Sequence, residues 1–168
     1  MSGIIGGGYS KNQTGMLGFS HNDPSFVAVH EGGITMHNET WHVFGDTIKL
    51  NKGGCYNATT YKFQPTIPGY YYLHCSLTID DVGDGKSMSA GIFKNASLSG
   101  DEVSGTPVRA RDMRVGSGSG AKGINVSTVE YANGSSDYFY FCGYHANISP
   151  ADRSFISNQY NIALGYKV

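Results

Sequence analysis

Six histidines, His21, His30, His37, His42, His74 and His145, are the natural starting point for acid–base or metal chemistry. They are too dispersed for a helical metal pair, although strand geometry can bring His74 and His145 together at an ion. Asp80, Asp84 and Gly85 resemble a calcium loop. Val82, however, stands where an oxygen ligand belongs, and no glutamate closes the loop, so a turn using Asp is the simpler reading. Gly118, Gly120 and Gly123 satisfy G-x-G-x-x-G, but a dinucleotide site needs that turn between a strand and a helix, and here a strand follows. Lys122 lacks the spacing and the following Ser or Thr of a phosphate-binding loop. Ser, His and Asp are all present, yet no motif places a nucleophile beside a base, and no paired carboxylates mark a cleft. The reading is a non-enzyme with no catalytic residue, no metal and no cofactor.

Binding chemistry is nearly as sparse. Arg109, Arg111 and Arg114 form the one basic cluster. Arg109 and Arg111 share a strand face and are candidates for ion pairs with carboxylates of a neighbouring subunit; a solvated strand face is the more ordinary account. With 12 basic and 13 acidic side chains in 168 residues, the net charge is −1, which argues against nucleic acid as a partner. No window approaches the length of a membrane span, and the first residues lack the pattern of a secretory signal, so no membrane is expected. Cys55, Cys75 and Cys142 are odd in number and widely spaced, so Cys75 and Cys142 read as small buried hydrophobes within strands. Seven N-x-[ST] triplets, the first at Asn12, read as strand and turn composition in a protein without a secretion signal.

The elements that would position any site are strands. Twelve Tyr, eight Phe and 24 Gly against 15% charged residues suit short strands and tight turns. Residues 70–79, YYYLHCSLTI, alternate Tyr71, Leu73, Cys75, Leu77 and Ile79 with Tyr70, Tyr72, His74, Ser76 and Thr78. Pro68-Gly69 before them is turn chemistry. Further strands are predicted near residues 47–51, 60–64, 107–115 and 123–130. At the end, Tyr160, Ile162, Leu164, Tyr166 and Val168 share one face. Residues 97–103 could form a single helical turn.

The segment 138–148, YFYFCGYHANI, is aromatic on both faces, with Phe139 and Phe141 opposing Tyr138, Tyr140 and Tyr144. One face of a sandwich strand meets the core, and the other needs a cover. A second copy of the chain is the expected cover, with a long loop of the same chain as the other candidate. Tyr138, Tyr140 and Tyr144 are therefore the expected trimer interface. Residues 1–24 are rich in Gly, Ser and Asn but carry Ile4, Ile5, Tyr9, Met16 and Leu17. They read as an extended arm, either a disordered tail or a docking peptide, ahead of one domain at 25–168.

The stretch IKLNKGGCYNATTYKFQPTIPGYYYLHCSLTI resembles the central signature of C1q-like domains, the trimeric jelly rolls related to tumour necrosis factor. Asn51, Gly54, Tyr56, Asn57, Tyr61, Phe63, Pro65, Pro68, Gly69 and Tyr71 carry the likeness. FVAV at 26–29 is similar to the family's first strand, DYFYFCGY at 137–144 to its penultimate one, and NIALGYKV at 161–168 to its last. The closing Phe of that pattern is replaced by Ile162 or Ala163, and residues 97–123 have no counterpart. The resemblance implies an all-β jelly-roll β-sandwich that forms homotrimers. Such domains without a collagen stalk also occur in bacteriophage structural proteins, and MSGIIGGGYSKNQTG looks like the arms that begin some phage virion proteins. The expected function is a trimeric capsid decoration or cement protein of a virion, made in the host cytoplasm and docked on the major capsid protein or other virion proteins through its arm. The alternative is a tail-fibre or receptor-binding head that uses exposed Tyr and Trp41 on host surface glycans.

Overall fold

The computed structural model describes residues 23–32, 34–80, 85–114, 120–146, 153–155 and 158–168. Among these are fifteen strands and no helix. In chain order they are β1 (Ser25–His30), β2 (Thr35–Met36), β3 (Trp41–Val43), β4 (Thr47–Lys52), β5 (Tyr56–Asn57), β6 (Lys62–Phe63), β7 (Gly69–Ile79) and β8 (Ser87–Lys94). There follow β9 (Ser97–Ser99), β10 (Glu102–Ser104), β11 (Pro107–Arg114), β12 (Lys122–Ala132), β13 (Phe139–Ala146), β14 (Arg153–Ser154) and β15 (Asn158–Lys167). They build an antiparallel jelly-roll sandwich. One sheet has five strands in the order β12-β7-β15-β1-β4. A second has eight, in the order β11-β8-β13-β3-β10-β9, with β6 joined to β13 and β5 to β6, and β14 pairs with β2 in a small two-stranded sheet.

Alternation along β7 decides where the core lies. Tyr71, Leu73, Cys75, Leu77 and Ile79 are all fully buried, while the residues between them face outward. Opposite them, β8 and β13 supply Met88, Ala90, Ile92, Phe139 and Phe141 to the same core. Phe26 of β1 stacks flat on Tyr56 at 4.4 Å between ring centres and leans on Phe63 at 4.7 Å, so the N-terminal strand is tied to β5 and β6 by aromatic contact. Cys75 and Cys142 are buried free thiols inside strands, Cys75 Sγ approaching the Cys142 carbonyl at 3.8 Å.

Two expectations change. Residues 97–103 are not helical: β9 and β10 form a hairpin that turns through Gly100, which has a positive φ of 62°. That hairpin also covers the outer face of β13. Tyr140 is 1% exposed and sits with Val43, Phe93, Ala96, Val103 and Cys142 in a second, smaller core, against which Trp41, Tyr61, Leu98 and Tyr138 pack. The cover over Tyr138 and Tyr140 is therefore a segment of the same chain and not another copy. Tyr138 donates its hydroxyl to the Ala96 carbonyl at 2.9 Å. Tyr144, half-buried, lies 5.1 Å from Trp41 between ring centres.

Candidate functional site: the outer face of the five-stranded sheet

Among the described residues, the face that lacks a cover lies on the other sheet. Antiparallel register brings Tyr131 opposite Tyr70, Val129 opposite Tyr72 and Ser127 opposite His74 across β12 and β7. On the far side of β7, Tyr166 stands opposite Tyr72, Leu164 opposite His74 and Ile162 opposite Ser76. β1 continues the row with Val27 beside Leu164, and β4 with Leu50 beside Val27. Tyr70 is 59% exposed, Val129 51% and Tyr160 58%, with Leu50, Tyr131 and Tyr166 also exposed. Along the outward positions of β7, from Tyr70 to Thr78, no side chain carries a formal charge. An apolar surface of this breadth marks a contact site.

Three of its polar side chains bond to one another. Tyr72 donates its hydroxyl to Ser127 Oγ at 3.0 Å, which leaves the serine proton for His74 Nδ1 at 2.8 Å. Partial burial lowers the His74 pKa below its ordinary value, so the imidazole is neutral near pH 7. Tyr72, Ser127 and His74 pair with one another, which lowers the desolvation cost of covering this part of the face with protein. Ser127 and His74 do have the spacing of a nucleophile and base. Among the described residues, though, no acidic side chain is bonded to the ring to orient it.

The sequence-predicted residues distribute as follows. Arg109 and Arg111 are exposed on β11, at the far flank of the sandwich. Ile4, Ile5, Tyr9, Met16 and Leu17 lie outside the described residues, as do Asp84, Val82 and Gly118. Gly123 lies within β12, so the glycine motif runs into a strand as expected. His74 and His145 do not meet: His74 faces outward from β7, whereas His145 is buried on β13, its Nε2 3.0 Å from the Met36 carbonyl. Trp41 is half-buried over Gly91, where an added Cβ would come within 2.7 Å of the indole. It is a packing residue.

Three other side chains do converge. The ligand atoms of His37, His42 and Glu102 lie within 4.8 Å of one another. His37 Nδ1 is 2.7 Å from Glu102 Oε1, and buried His42 places Nδ1 3.5 Å from Asp101 Oδ2. The backbone N–H of His37 donates to His42 Nε2 at 2.9 Å, so the lone pair a metal would need is already used. The cluster is better suited to latch the β2–β3 turn onto β10 than to hold an ion.

Antiparallel sheets packed in a jelly-roll topology define an all-β sandwich domain. The family model for the C1q domain matches residues 25–112, and the chain belongs to that family. That match reaches past Ser97, into the stretch for which the sequence suggested no counterpart. Solved structures agree on the fold. Murine APRIL at pH 5.0 superposes with a TM-score of 0.61 at 11% identity, over 87% of this chain and 99% of that one. Eiger TNF from S. frugiperda gives 0.54 at 11% identity, over 87% and 91%. The globular domain of zebrafish complement 1qA protein gives 0.51 at 12% identity, over 86% and 97%. No curated protein matches by sequence.

Proposed function

We propose that this C1q domain is a non-enzymatic structural protein that works as a homotrimer, with the outer face of the five-stranded sheet as its seam. The observation that carries the reading is that face: Tyr70, Tyr72, Val129, Tyr131, Leu164 and Tyr166 form a broad, largely apolar surface, with the Tyr72 hydroxyl paired to Ser127. Its occupant is a second copy, because C1q and TNF domains associate as homotrimers and a closed ring buries the same patch on every subunit. Tyrosine suits such a seam, giving ring area to the contact and a hydroxyl to its rim.

The trimer serves as a decoration or cement protein on a phage virion, docked through residues 1–24. The likeness of the Gly-rich opening, with Ile4, Ile5, Tyr9, Met16 and Leu17, to phage virion arms supports this placement. A trimer that binds only the assembled shell stabilises it by mass action. Deleting residues 1–20 is expected to release the protein from purified particles while the trimer stays folded. Unchanged occupancy after that deletion would contradict the placement.

A receptor-binding head is favoured by one separate observation. A depression of about 380 Å³ beside the β9–β10 hairpin is lined by Thr59, Thr60, Lys62, Ser97, Tyr138 and Tyr140, with Lys62 Nζ 4.2 Å from the Tyr138 ring centre. Hydroxyls, an ammonium and an aromatic wall are the groups that hold a sugar. Copies per particle separate the two readings: hundreds mean decoration, about a dozen mean a tail head.

A further inference from the structure

The flank opposite β4 carries a second feature that the trimer reading does not use. Strands β11 and β12 are each the end of their sheet. Between them lies a slot of about 420 Å³, bounded by Arg109, Ala110 and Arg111 on one side and by Asn125, Val126 and Ser127 on the other.

Register fixes where the arginines project. Arg109 stands opposite Ile92, and Arg111 opposite Ala90, both of them core residues. Cross-strand partners share a face, so both arginines occupy the core side of an edge strand. Met113, two positions on and opposite Met88, does pack on the core. The flank thus closes with an apolar residue at Met113 and stays open and cationic at Arg109 and Arg111.

Nothing in the chain neutralises these charges among the described residues. Asp112 alternates to the other face of β11, opposite Ser89. Glu130, the acid on β12, accepts from Thr128 Oγ1 at 3.1 Å. Two guanidinium forks without carboxylate partners therefore line one concave slot.

We propose that this slot is an oxyanion site that takes a sulfate or phosphate group. Each guanidinium presents paired donors in a plane, and two of them match a tetrahedral dianion better than a flat, singly charged carboxylate. The group can arrive as a free ion or on a sulfated chain; the recognised chemistry is the same. The slot shares Ser127 with the rim of the proposed seam, so the mass of each variant is measured in the same samples to separate loss of the trimer from loss of the ion.

The test is titration calorimetry of the full chain with inorganic sulfate, inorganic phosphate, sodium acetate and sulfated dextran. Sulfate, phosphate or the sulfated polymer should bind more tightly than acetate. Arg109→Gln with Arg111→Gln should weaken that binding about tenfold or more, with the fold verified by circular dichroism. Arg109→Lys with Arg111→Lys, which keeps the charge but loses the fork, should also weaken it. Lys49→Gln, at an exposed cation on the other sheet, should leave it unchanged. Absence of binding by every probe, acetate binding as tightly as sulfate, or affinity untouched in the double glutamine variant would overturn the proposal. The arginines would then serve only as inward-pointing charges that keep an edge strand from pairing.

Discussion

Tyr140 shows how one residue separates two accounts of the same strand. Its ring is covered by Ala96 and Val103 of its own chain, and burial pushes its hydroxyl pKa up to about 12. Tyr140→Ala should therefore lower stability by about 3 to 5 kcal/mol in chemical denaturation, as for other buried aromatic rings, while leaving the oligomeric mass unchanged. Gly91→Ala should cost about 1 to 3 kcal/mol, because its Cβ would meet the Trp41 indole at 2.7 Å in a well-packed site. The buried histidines set a pH dependence. His30 and His42 are fully buried, and burial lowers the pKa of each below the ordinary 6.5, against a weaker upward pull from Asp46 and Asp101 respectively. As pH falls through about 6.5, the unfolded chain binds protons that the folded one resists, so stability is complete above that value and declines below it. The melting temperature should fall between pH 7 and pH 5, and His30→Leu should flatten that fall. An unchanged slope in His30→Leu would remove His30 from the account.

At the scale of elements, much was legible and the exceptions have physical reasons. The strict alternation of β7 divides its residues into two faces, because only one period fits YYYLHCSLTI, and the structure shows the Tyr71 side to be the buried one. In β15 the shared face of Tyr160, Ile162, Leu164, Tyr166 and Val168 was equally visible, but its direction was not. The core side is the set of small residues, Ala163 and Gly165, because Phe26, Phe63 and Leu73 come so close that a Cβ at Gly165 would sit about 3 Å from each. Large apolar residues outside and small ones inside invert the usual reading. The β9–β10 hairpin escaped prediction because SLSGDEVS has too few apolar residues for a strand signal; its contribution is a lid formed by Leu98 and Val103. Val103→Asp should expose Tyr140 and speed amide exchange in β13 while exchange in β7 stays slow. Equal acceleration in both strands would mean that the two cores unfold as one.

At the scale of the whole molecule, the two sheets divide the work. The eight-stranded sheet closes its own outer surface with the hairpin and Trp41, whereas the five-stranded sheet leaves a broad apolar surface open. That asymmetry is what supports the proposed seam on β7, β12 and β15. If the folded state is a trimer, its melting temperature must rise with protein concentration, since association binds the native form alone. The most direct measurement is sedimentation equilibrium on the full chain beside its Tyr72→Asp and Leu164→Asp variants, which place a carboxylate at the centre of the open face. The account predicts three chain masses for the parent protein and for Tyr140→Ala, and one chain mass for both face variants with strand content retained. A single-chain mass for the parent, or trimers that survive Tyr72→Asp and Leu164→Asp together, would contradict it.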